Sequence, residues 1–331
     1  MTILITGGAG FIGSHLAREF HSRGQQVILL DSFLDNYSLE MKASRQEALL
    51  TSVGLEVLRC DIANYEDLTR TLGHLHFESI IHLAAQPGIR LEASQYKRYI
   101  SSNVTGFTNI LRLALDYNVN SLLYASSSSV YGNHNSSLLK EEYKDILPVS
   151  FYGATKLANE ILAKSFVKET SLRARGLRFF TVYGPWGRPD MAYFRILTSL
   201  KDGRPFNLFG TGEVLRDFTY IDDVVSSIVQ LNLNLQGQKE GFHDIVNIGG
   251  GSSESLLRLI HITEGLTNKT LQIVENERDD RDVFKTLADR TYLEQLIPRF
   301  SFTDLASGMK EVVNWSEDSK IATQLSGWVH D

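Results

Sequence analysis

The chain has 331 residues, of which 43% are hydrophobic and 22% are charged, and its formal net charge is -6. This length accommodates one large domain and a smaller one. The negative net charge and the absence of a cluster of consecutive basic residues argue against nucleic acid as the main partner. The single cysteine, Cys60, excludes an internal disulfide, and no apolar stretch approaches the roughly 20 residues that cross a bilayer. We therefore expect a cytosolic protein without a signal peptide or a membrane anchor.

Short apolar runs alternate with longer amphipathic runs through the first half of the chain, which predicts an α/β fold with a doubly wound parallel sheet. The predicted strands cover residues 2–6, 26–30, 55–59, 79–83, 121–126 and 177–180. Helices predicted from about 95 to 117 and from 152 to 169 are long and carry apolar stripes. We expect these two helices to leave surface for a second subunit, and hence a homodimer.

Regular structure is interrupted after Phe180 by a segment rich in glycine and proline, where a smaller lobe is expected to begin. Residues 217–231 and 244–248 again predict a helix and a buried strand, which return the chain to the large domain. We therefore predict two interleaved lobes. The large one comprises residues 1–180 with 217–248, and the small one comprises residues 181–216 with 249–331.

A glycine-rich turn follows the first predicted strand, with the sequence Gly7-Gly8-Ala9-Gly10-Phe11-Ile12-Gly13. Such glycines let backbone amides approach a pyrophosphate, and a helix beginning near Gly10 directs its N-terminal dipole at that charge. The motif often arises by chance, but here the acidic residue Asp31 follows it at the expected distance of about 20 residues, at the end of the second strand. A carboxylate there binds the adenosine ribose and repels a 2'-phosphate, which favours NAD over NADP.

Two further strand ends are placed to contact the dinucleotide. The third strand ends in Asp61-Ile62, beside the adenine, and the fourth ends in His82-Leu83-Ala84-Ala85-Gln86, whose small residues admit the cofactor. The predicted cofactor contacts are Gly7, Gly10, Phe11, Ile12, Gly13, Asp31, Asp61, Ile62, Leu83, Ala84, Ala85 and Lys156.

Tyr152 and Lys156 lie four residues apart, which places them on one face if the segment is helical. A phenol titrates near 10, so a base near neutral pH requires a shift of roughly three units, about 4 kcal/mol. A desolvated ammonium together with an oxidised nicotinamide supplies a shift of that sign. Alone, the pair also fits a half-exposed aromatic beside a solvated charge. With the glycine-rich turn, it indicates hydride chemistry.

These motifs together resemble the extended short-chain dehydrogenase/reductase superfamily, over nearly all of the chain. Residues 82–86 and 125–132 resemble nucleotide-sugar epimerases and dehydratases, and residues 86–90 and 178–191 are similar to UDP-glucuronate 4-epimerases. The resemblance implies a Rossmann sheet, tightly bound NAD and redox-neutral C4 epimerisation of a UDP-sugar through a 4-keto intermediate. The implied substrate is UDP-glucuronate, which becomes UDP-galacturonate.

The same resemblance implies the roles of three catalytic residues. Tyr152 takes the proton from the sugar 4-hydroxyl, Ser127 shares that hydrogen bond, and Lys156 holds the nicotinamide ribose and lowers the pKa of Tyr152. Ser128 and Ser129 stand where related dehydratases and decarboxylases place carboxylates. Because a serine hydroxyl does not exchange protons near neutral pH unaided, dehydration and decarboxylation are disfavoured.

A uronic acid oxidised at C4 loses carbon dioxide readily, so its carboxylate must be held out of alignment with the new carbonyl. We hypothesise that Ser128 and Thr181, with Ser129 or Arg90, fix this carboxylate through hydrogen bonds. Arg188 is an alternative partner for the same group.

Arginine is well suited to hold the diphosphate. The candidates are Arg188, Arg195 and Arg216, and Phe206 and Phe209 are expected to flank the uracil.

Residues 278–283 depart from the family pattern, because two extra carboxylates stand near the usual phosphate contact. Arg278 or Arg281 is expected to substitute for that contact. Thr286 is expected to control the size of the sugar pocket.

Other functions remain open. A 4-epimerase acting on UDP-glucose or UDP-N-acetylglucosamine has the same catalytic residues, and a UDP-glucuronate decarboxylase is disfavoured by Ser129. A catalytically silent NAD-sensing protein is disfavoured because Ser127, Tyr152 and Lys156 are all present. No metal ion is expected.

Overall fold

The computed structural model describes residues 1–89, 91–134, 136, 138–277 and 283–329. Its strands are β1 (Thr2–Thr6), β2 (Gln26–Asp31), β3 (Val57–Arg59), β4 (Ser79–His82), β5 (Ser121–Ser127), β6 (Arg173–Phe179), β7 (Thr181–Tyr183), β8 (Phe206–Phe209), β9 (Leu215–Tyr220), β10 (His243–Ile248), β11 (Ser253–Ser255) and β12 (Ile273–Asn276). Its α-helices are α1 (Phe11–Ser22), α2 (Leu39–Leu49), α3 (Tyr65–Leu72), α4 (Tyr96–Tyr99), α5 (Gly106–Asp116), α6 (Phe151–Phe166), α7 (Ala192–Asp202), α8 (Ile221–Gln236), α9 (Leu256–Thr267), α10 (Thr291–Leu296), α11 (Leu305–Glu317), α12 (Ser319–Ala322) and α13 (Leu325–Trp328). A π-helical segment (Ile100–Thr105) joins α4 to α5, and short 3₁₀ turns cover Thr51–Val53, Ala93–Gln95 and Ser128–Tyr131.

The large sheet is parallel throughout, with strand order β10-β6-β5-β4-β1-β2-β3. Its strands are apolar on both faces. In β1, Ile3 and Ile5 belong to one core cluster and Leu4 to another, and none of the three has accessible surface. Helices α1 and α8 pack against each other on one side, while α5 and α6 pack together on the other. The predicted doubly wound sheet is therefore confirmed.

The six predicted strands and the two long helices are confirmed, although several boundaries differ by a few residues: β3 begins at Val57 rather than at residue 55, and α6 ends at Phe166 rather than at residue 169. Strand β6 begins at Arg173 rather than at residue 177. Arg175 interrupts the apolar pattern, yet it is fully buried because Asp244 of the neighbouring β10 binds it through two hydrogen bonds of 2.7 and 2.8 Å. A buried ion pair across two strands is invisible in the hydrophobic pattern of either strand.

The helix predicted from residue 217 was also wrong over its first turn. Residues up to Tyr220 form β9, which pairs with β7 in parallel and with β11 in antiparallel orientation. The carboxylate of Asp217 is buried, where it accepts hydrogen bonds from the amides of Gly250, Gly251 and Ala288. These tertiary contacts hold an acidic residue inside a strand. The helix α8 then begins at Ile221, and β10 joins the large sheet as predicted.

The smaller sheets join segments that are far apart in sequence. Strand β9 lies between β7 and β11, and β8 pairs in parallel with β12. Two isolated bridges add to this, between Leu139 and Ala288 and between Leu215 and Lys285. None of the helices in the described ranges combines the length and the apolar character that crossing a bilayer requires.

Candidate active site

The carboxyl ends of the central strands open into a cavity of about 790 Å³, a size typical of sites for small-molecule ligands. It extends from the glycine-rich turn after β1 to β8 and β9. The predicted residues that line it are Gly7, Gly10, Phe11, Ile12, Gly13, Asp31, Asp61, Ile62, Leu83, Ala84, Ala85, Ser127, Ser128, Ser129, Tyr152, Lys156, Thr181, Arg188, Arg195, Phe206, Phe209, Arg216 and Thr286. The predicted contacts Arg90, Arg278 and Arg281 lie outside the described residues.

The glycine-rich turn has the shape that a dinucleotide requires. Gly7 has a φ of +73°, and a Cβ there would lie 2.8 Å from the amide nitrogen of Ala84. At Gly13, a Cβ would lie 2.1 Å from the carbonyl oxygen of Gly7. Gly10 is the N-cap residue of α1 and has no side chain, so within the described chain no N-cap side chain bonds the first-turn amides of this helix. This turn therefore fits a pyrophosphate lying against α1.

Asp31, at the end of β2, is held by two backbone amides. One carboxylate oxygen accepts a hydrogen bond from the Ala9 amide at 3.1 Å, and the other accepts one from the Phe33 amide at 2.8 Å. These bonds fix the carboxylate at the edge of the cavity, with remaining lone pairs that ribose hydroxyls can use. The cavity thus has matching sites for a pyrophosphate and for a ribose.

Three residues after Asp31 that border the cavity were not predicted from the sequence. Asn36, Tyr37 and Lys42 also line the cavity. The Lys42 ammonium donates a 2.8 Å hydrogen bond to the Asn36 side chain and lies 4.5 Å from the centre of the Tyr37 ring. Burial lowers the pKa of Lys42 to about 8, partly opposed by the charge of Asp31. No local pattern marks these residues, because they reach the cavity through the path of the loop after β2.

Helix α6 carries both Tyr152 and Lys156. Ser150 caps its start by accepting a hydrogen bond from the Gly153 amide. The Lys156 ammonium is buried, donates a 2.9 Å hydrogen bond to the carbonyl oxygen of Ala125 and lies 5.9 Å from the centre of the Tyr152 ring. Burial lowers the pKa of Lys156 to about 8. The pair therefore lies on one face of the helix, against the end of β5.

Burial raises the pKa of Tyr152 above its usual value, and the nearby Tyr99 acts in the same direction. The positive charge of Arg188 and a hydrogen bond with the Ser127 hydroxyl oppose this rise without reversing it. Ser127 is itself positioned by the Ser129 amide, which donates a 3.1 Å hydrogen bond to its side-chain oxygen. In the protein alone, the phenol is therefore neutral at pH 7.

A buried ion pair between Glu160 and Arg178 lies next to these catalytic candidates. Glu160, one turn after Lys156 on α6, accepts hydrogen bonds of 2.9 and 2.8 Å from the guanidinium of Arg178 on β6. It also accepts a hydrogen bond from the hydroxyl of Ser126, which precedes Ser127. Glu160 therefore fixes α6 relative to both β5 and β6.

Asn103 is a second support that the sequence analysis missed. It lies in the π-helical segment, a type of irregularity that is frequent at functional sites. Its side chain donates hydrogen bonds to the Thr155 hydroxyl at 3.0 Å and to the Gln86 carbonyl at 3.2 Å, and accepts one from the Gln86 amide at 2.8 Å. It thus joins α6 to the segment that follows β4. The insertion of one residue into a helix leaves no recognisable sequence signal.

The serine turn after β5 packs directly against the start of α6. A Cβ at Gly153 would lie 2.6 Å from the Ser129 carbonyl oxygen, so glycine permits this approach. Ser128 and Ser129 line the cavity here, and Thr181 does so from the start of β7. The three hydroxyls that were predicted to hold a carboxylate therefore border the same cavity as Tyr152.

Arg188 is paired with a carboxylate that the sequence analysis missed. Its guanidinium binds Asp190 through two hydrogen bonds, one of them 3.0 Å long. Burial by itself would raise the pKa of Asp190, but the charge and hydrogen bonds of Arg188 hold it below its usual value. The two-residue spacing was a usable signal, because a short loop brings such side chains together.

Residues of α7, β8 and β9, together with Thr286, provide the other end of the cavity. Arg216 on β9 donates a hydrogen bond to the Leu215 carbonyl, and Arg195 lies on α7. Phe206 is buried, whereas Phe209 is 38% exposed. Thr286 is buried, and its hydroxyl accepts a hydrogen bond from the Asp217 amide. Cationic and aromatic side chains thus lie opposite the dinucleotide turn.

Comparison with known proteins identifies the family. The model of the NAD dependent epimerase/dehydratase family matches residues 3–249. UDP-glucuronate 4-epimerase 6 of Arabidopsis thaliana is 37% identical, with 95% of this chain and 71% of that protein covered. Protein CapI of Staphylococcus aureus is 36% identical, with 95% and 98% covered.

A solved structure supports the same assignment. UDP-glucuronic acid 4-epimerase from Bacillus cereus, in complex with UDP-glucuronic acid and NAD, superposes with a TM-score of 0.87 at 31% identity. The match covers 95% of this chain and 98% of that one. The chain therefore belongs to the NAD dependent epimerase/dehydratase family.

Proposed function

We propose that this protein is an NAD-dependent UDP-sugar 4-epimerase that interconverts UDP-glucuronate and UDP-galacturonate. The observation that carries the proposal is that Ser127, Tyr152 and Lys156 border the same cavity as the dinucleotide turn. The similarity to UDP-glucuronate 4-epimerases from Arabidopsis thaliana and Bacillus cereus supports the choice of sugar.

The cofactor site is assigned to the turn from Gly7 to Gly13, to Asp31 and to Lys156. Bound NAD supplies a hydride acceptor with a positively charged nicotinamide ring. The large lobe, residues 1–180 with 217–248, would hold this cofactor. The small lobe, residues 181–216 with 249–331, would hold the nucleotide sugar.

Tyr152 is the proposed base. Because burial keeps its phenol neutral in the protein alone, ionisation requires further positive charge in the cavity. The ionised Tyr152 accepts the proton of the sugar 4-hydroxyl, while Ser127 hydrogen-bonds to the same oxygen. The C4 hydrogen would pass to the cofactor as hydride, which leaves a carbonyl at C4. When the sugar presents its other face, the hydride would return to C4 and Tyr152 would return the proton to the carbonyl oxygen. Lys156 would hold the nicotinamide ribose of the bound cofactor.

The carboxylate of the sugar is assigned to Ser128, Ser129 and Thr181, with Arg188 at the edge of the same space. Among the described residues lining the cavity, the carboxyl groups are Asp31, Asp61 and Asp190. Asp190 is held ionised by Arg188 and cannot donate a proton near neutral pH. The absence of a carboxyl group from the serine turn supports epimerisation rather than dehydration.

The diphosphate is assigned to Arg195 and Arg216, and the uracil to the space between Phe206 and Phe209. The small Thr286 leaves room for the sugar to turn about its diphosphate linkage. This arrangement holds the nucleotide at one end of the cavity while the sugar exposes either face at the other.

We also propose a homodimer and a cytosolic location. Apolar side chains on the outer surface of the paired helices α5 and α6, with the preceding π segment, support the dimer, since Ile100, Leu115 and Ile161 are 44%, 55% and 61% exposed. The single cysteine supports the location, because oxidising compartments favour paired cysteines.

The test is incubation with UDP-glucuronate, UDP-glucose and UDP-N-acetylglucosamine in turn, followed by chromatographic separation of the products. We expect turnover of UDP-glucuronate, and a loss of about 100-fold or more in Tyr152→Phe. Tyr117→Phe is a matched control, because this phenol donates a hydrogen bond to the carbonyl oxygen of Gly73, away from the cavity. Turnover of UDP-glucose alone would refute the uronate assignment, and full activity of Tyr152→Phe would refute the mechanism.

A further inference from the structure

Arg45, on α2, donates hydrogen bonds to two segments that border the cavity, the glycine-rich turn and the loop of Trp186. Its side chain has no accessible surface. One nitrogen, Nε, donates a 2.8 Å hydrogen bond to the carbonyl oxygen of Trp186. Another, Nη1, donates to the carbonyl oxygen of Ala9 at 3.1 Å and to the Tyr37 hydroxyl at 2.7 Å. A single guanidinium thus contacts both the dinucleotide turn and the loop that carries Arg188.

An arginine is costly at this position. Arg45 lies between Met41 and Leu49 on the buried stripe of α2, where an apolar residue would be expected. Across the described residues no carboxylate pairs with it, and its Nη2 is buried without a hydrogen-bond partner. A buried cation without a counter-ion is stabilised by an anion that binds nearby. The peptide of Ala9 places that cation beside the turn where a pyrophosphate fits.

The loop of Trp186, whose carbonyl oxygen accepts a hydrogen bond from Arg45, is strained. Trp186 has a φ of +61°, a conformation that is rare for a bulky residue and persists only when its surroundings impose it. The centre of its ring lies 5.3 Å from the ring centre of Trp315 and 5.9 Å from that of Trp328. A Cβ at Gly187 would lie 1.5 Å from the Tyr193 hydroxyl. The loop is therefore held by packing at its sides and by Arg45 at its Trp186 carbonyl.

We propose that Arg45 is a positioning residue that couples the dinucleotide turn to the loop carrying Arg188, so that the two ligands strengthen each other's binding. An anion on the turn would fix Ala9 and Arg45, and Arg45 would hold Trp186 in its strained conformation. Arg188 then stays directed into the cavity. By reciprocity, a ligand that engages Arg188 must strengthen binding at the turn by the same factor. The inference depends on the proposed function only for the identity of the two ligands.

The experiment is binding calorimetry on the full chain after removal of any copurified nucleotide. ADP-ribose is the probe for the turn, because it lacks nicotinamide and cannot touch the sugar. The affinity for UDP-glucuronate is measured with and without saturating ADP-ribose. We expect ADP-ribose to tighten UDP-glucuronate binding by about five-fold or more, as is typical of coupled sites.

Intrinsic fluorescence gives a second measurement that does not depend on activity. The chain has three tryptophans, and all of them, Trp186, Trp315 and Trp328, lie in the cluster beside this loop. Tryptophan emission therefore reports on the loop itself. We expect ADP-ribose to change this emission, although it binds at the glycine-rich turn and not at the loop of Trp186.

Three variants complete the test. Arg45→Met keeps the length of the side chain but removes its donors, and we expect the tightening to fall below about two-fold. Arg45→Lys keeps the charge but cannot reach both carbonyl groups, so it should give an intermediate value. Arg18→Met, on the exposed face of α1, is the control and should match the unmodified protein.

The outcomes separate the two proposals. Independent binding of ADP-ribose and UDP-glucuronate to the unmodified protein overturns the inference, even if no Arg45 variant folds. Undiminished tightening in Arg45→Met overturns it as well. Failure of either ligand to bind overturns the proposed function together with the inference.

Discussion

The buried pair of Glu160 and Arg178 should be essential for stability. Its side chains are only 7% and 3% exposed, and two hydrogen bonds of 2.9 and 2.8 Å join them. In Glu160→Gln, one carboxylate oxygen becomes an amide group that opposes a guanidinium donor. Removal of one partner from a buried pair costs about 3 to 5 kcal/mol. Because glutamine keeps one acceptor for Arg178 or Ser126, we expect the lower end of that range, about 3 kcal/mol.

The assay is urea unfolding followed by far-ultraviolet circular dichroism, with Glu19→Gln as the matched control. Glu19 pairs with Arg23 on the surface, where the side chains are 34% and 50% exposed. That pair should contribute less than about 1 kcal/mol. If Glu160→Gln stays within about 1 kcal/mol of Glu19→Gln, the reasoning about a buried charge left without its partner is refuted.

Three further predictions concern pH, the dinucleotide turn and the sugar carboxylate. Burial, aided by the charge of Lys156, lowers the pKa of His82 to about 3, so stability is complete above the unfolded value near 6.5 and is lost as the pH falls through this range. From about pH 6.5 to pH 4.5 the free energy of unfolding should therefore drop by about 2 kcal/mol more than in His82→Gln. If urea unfolding gives the same change of this free energy with pH in both proteins, the prediction is wrong. Gly13→Ala should abolish copurification of nucleotide, measured by mass spectrometry, because its Cβ would lie 2.1 Å from a carbonyl oxygen. The control Gly265→Ala, in open space on α9, should retain the nucleotide, and its free energy of unfolding should rise by about 0.5 to 1 kcal/mol. Thr181→Ala should raise the fraction of UDP-pentose among the products of UDP-glucuronate, and an unchanged ratio by chromatography would count against its role.

The dinucleotide end of the site could be predicted from sequence because its chemistry is local. The turn from Gly7 to Gly13 needs glycines for steric reasons that hold wherever a strand meets a helix in this way. Asp31 follows at a fixed distance, and Tyr152 and Lys156 are one helical turn apart. Each of these signals depends on residues close together in sequence, so each can be recognised without a structure.

The rest of the site depends on contacts between distant segments. Asp217 looks like the first turn of a helix until the amides of Gly250 and Ala288 are brought to its carboxylate. Arg45 looks like an ordinary surface arginine until the loop of Trp186 reaches it from 141 residues away. The position of Asn103 depends on an irregular helical turn. Tertiary contacts, which override local preference, determine all three.

The long-range pairings of the small sheets also determine when the protein can be completed during synthesis. Strands β1 to β6 are all translated by Phe179, so most of the large sheet can assemble while the ribosome is still working. The nascent chain must reach Lys285 and Ala288 before Leu215 and Leu139 find their partners. Nucleotide can therefore meet a formed turn before the opposite wall of the cleft exists, and slow translation of the last third would prolong that half-built state.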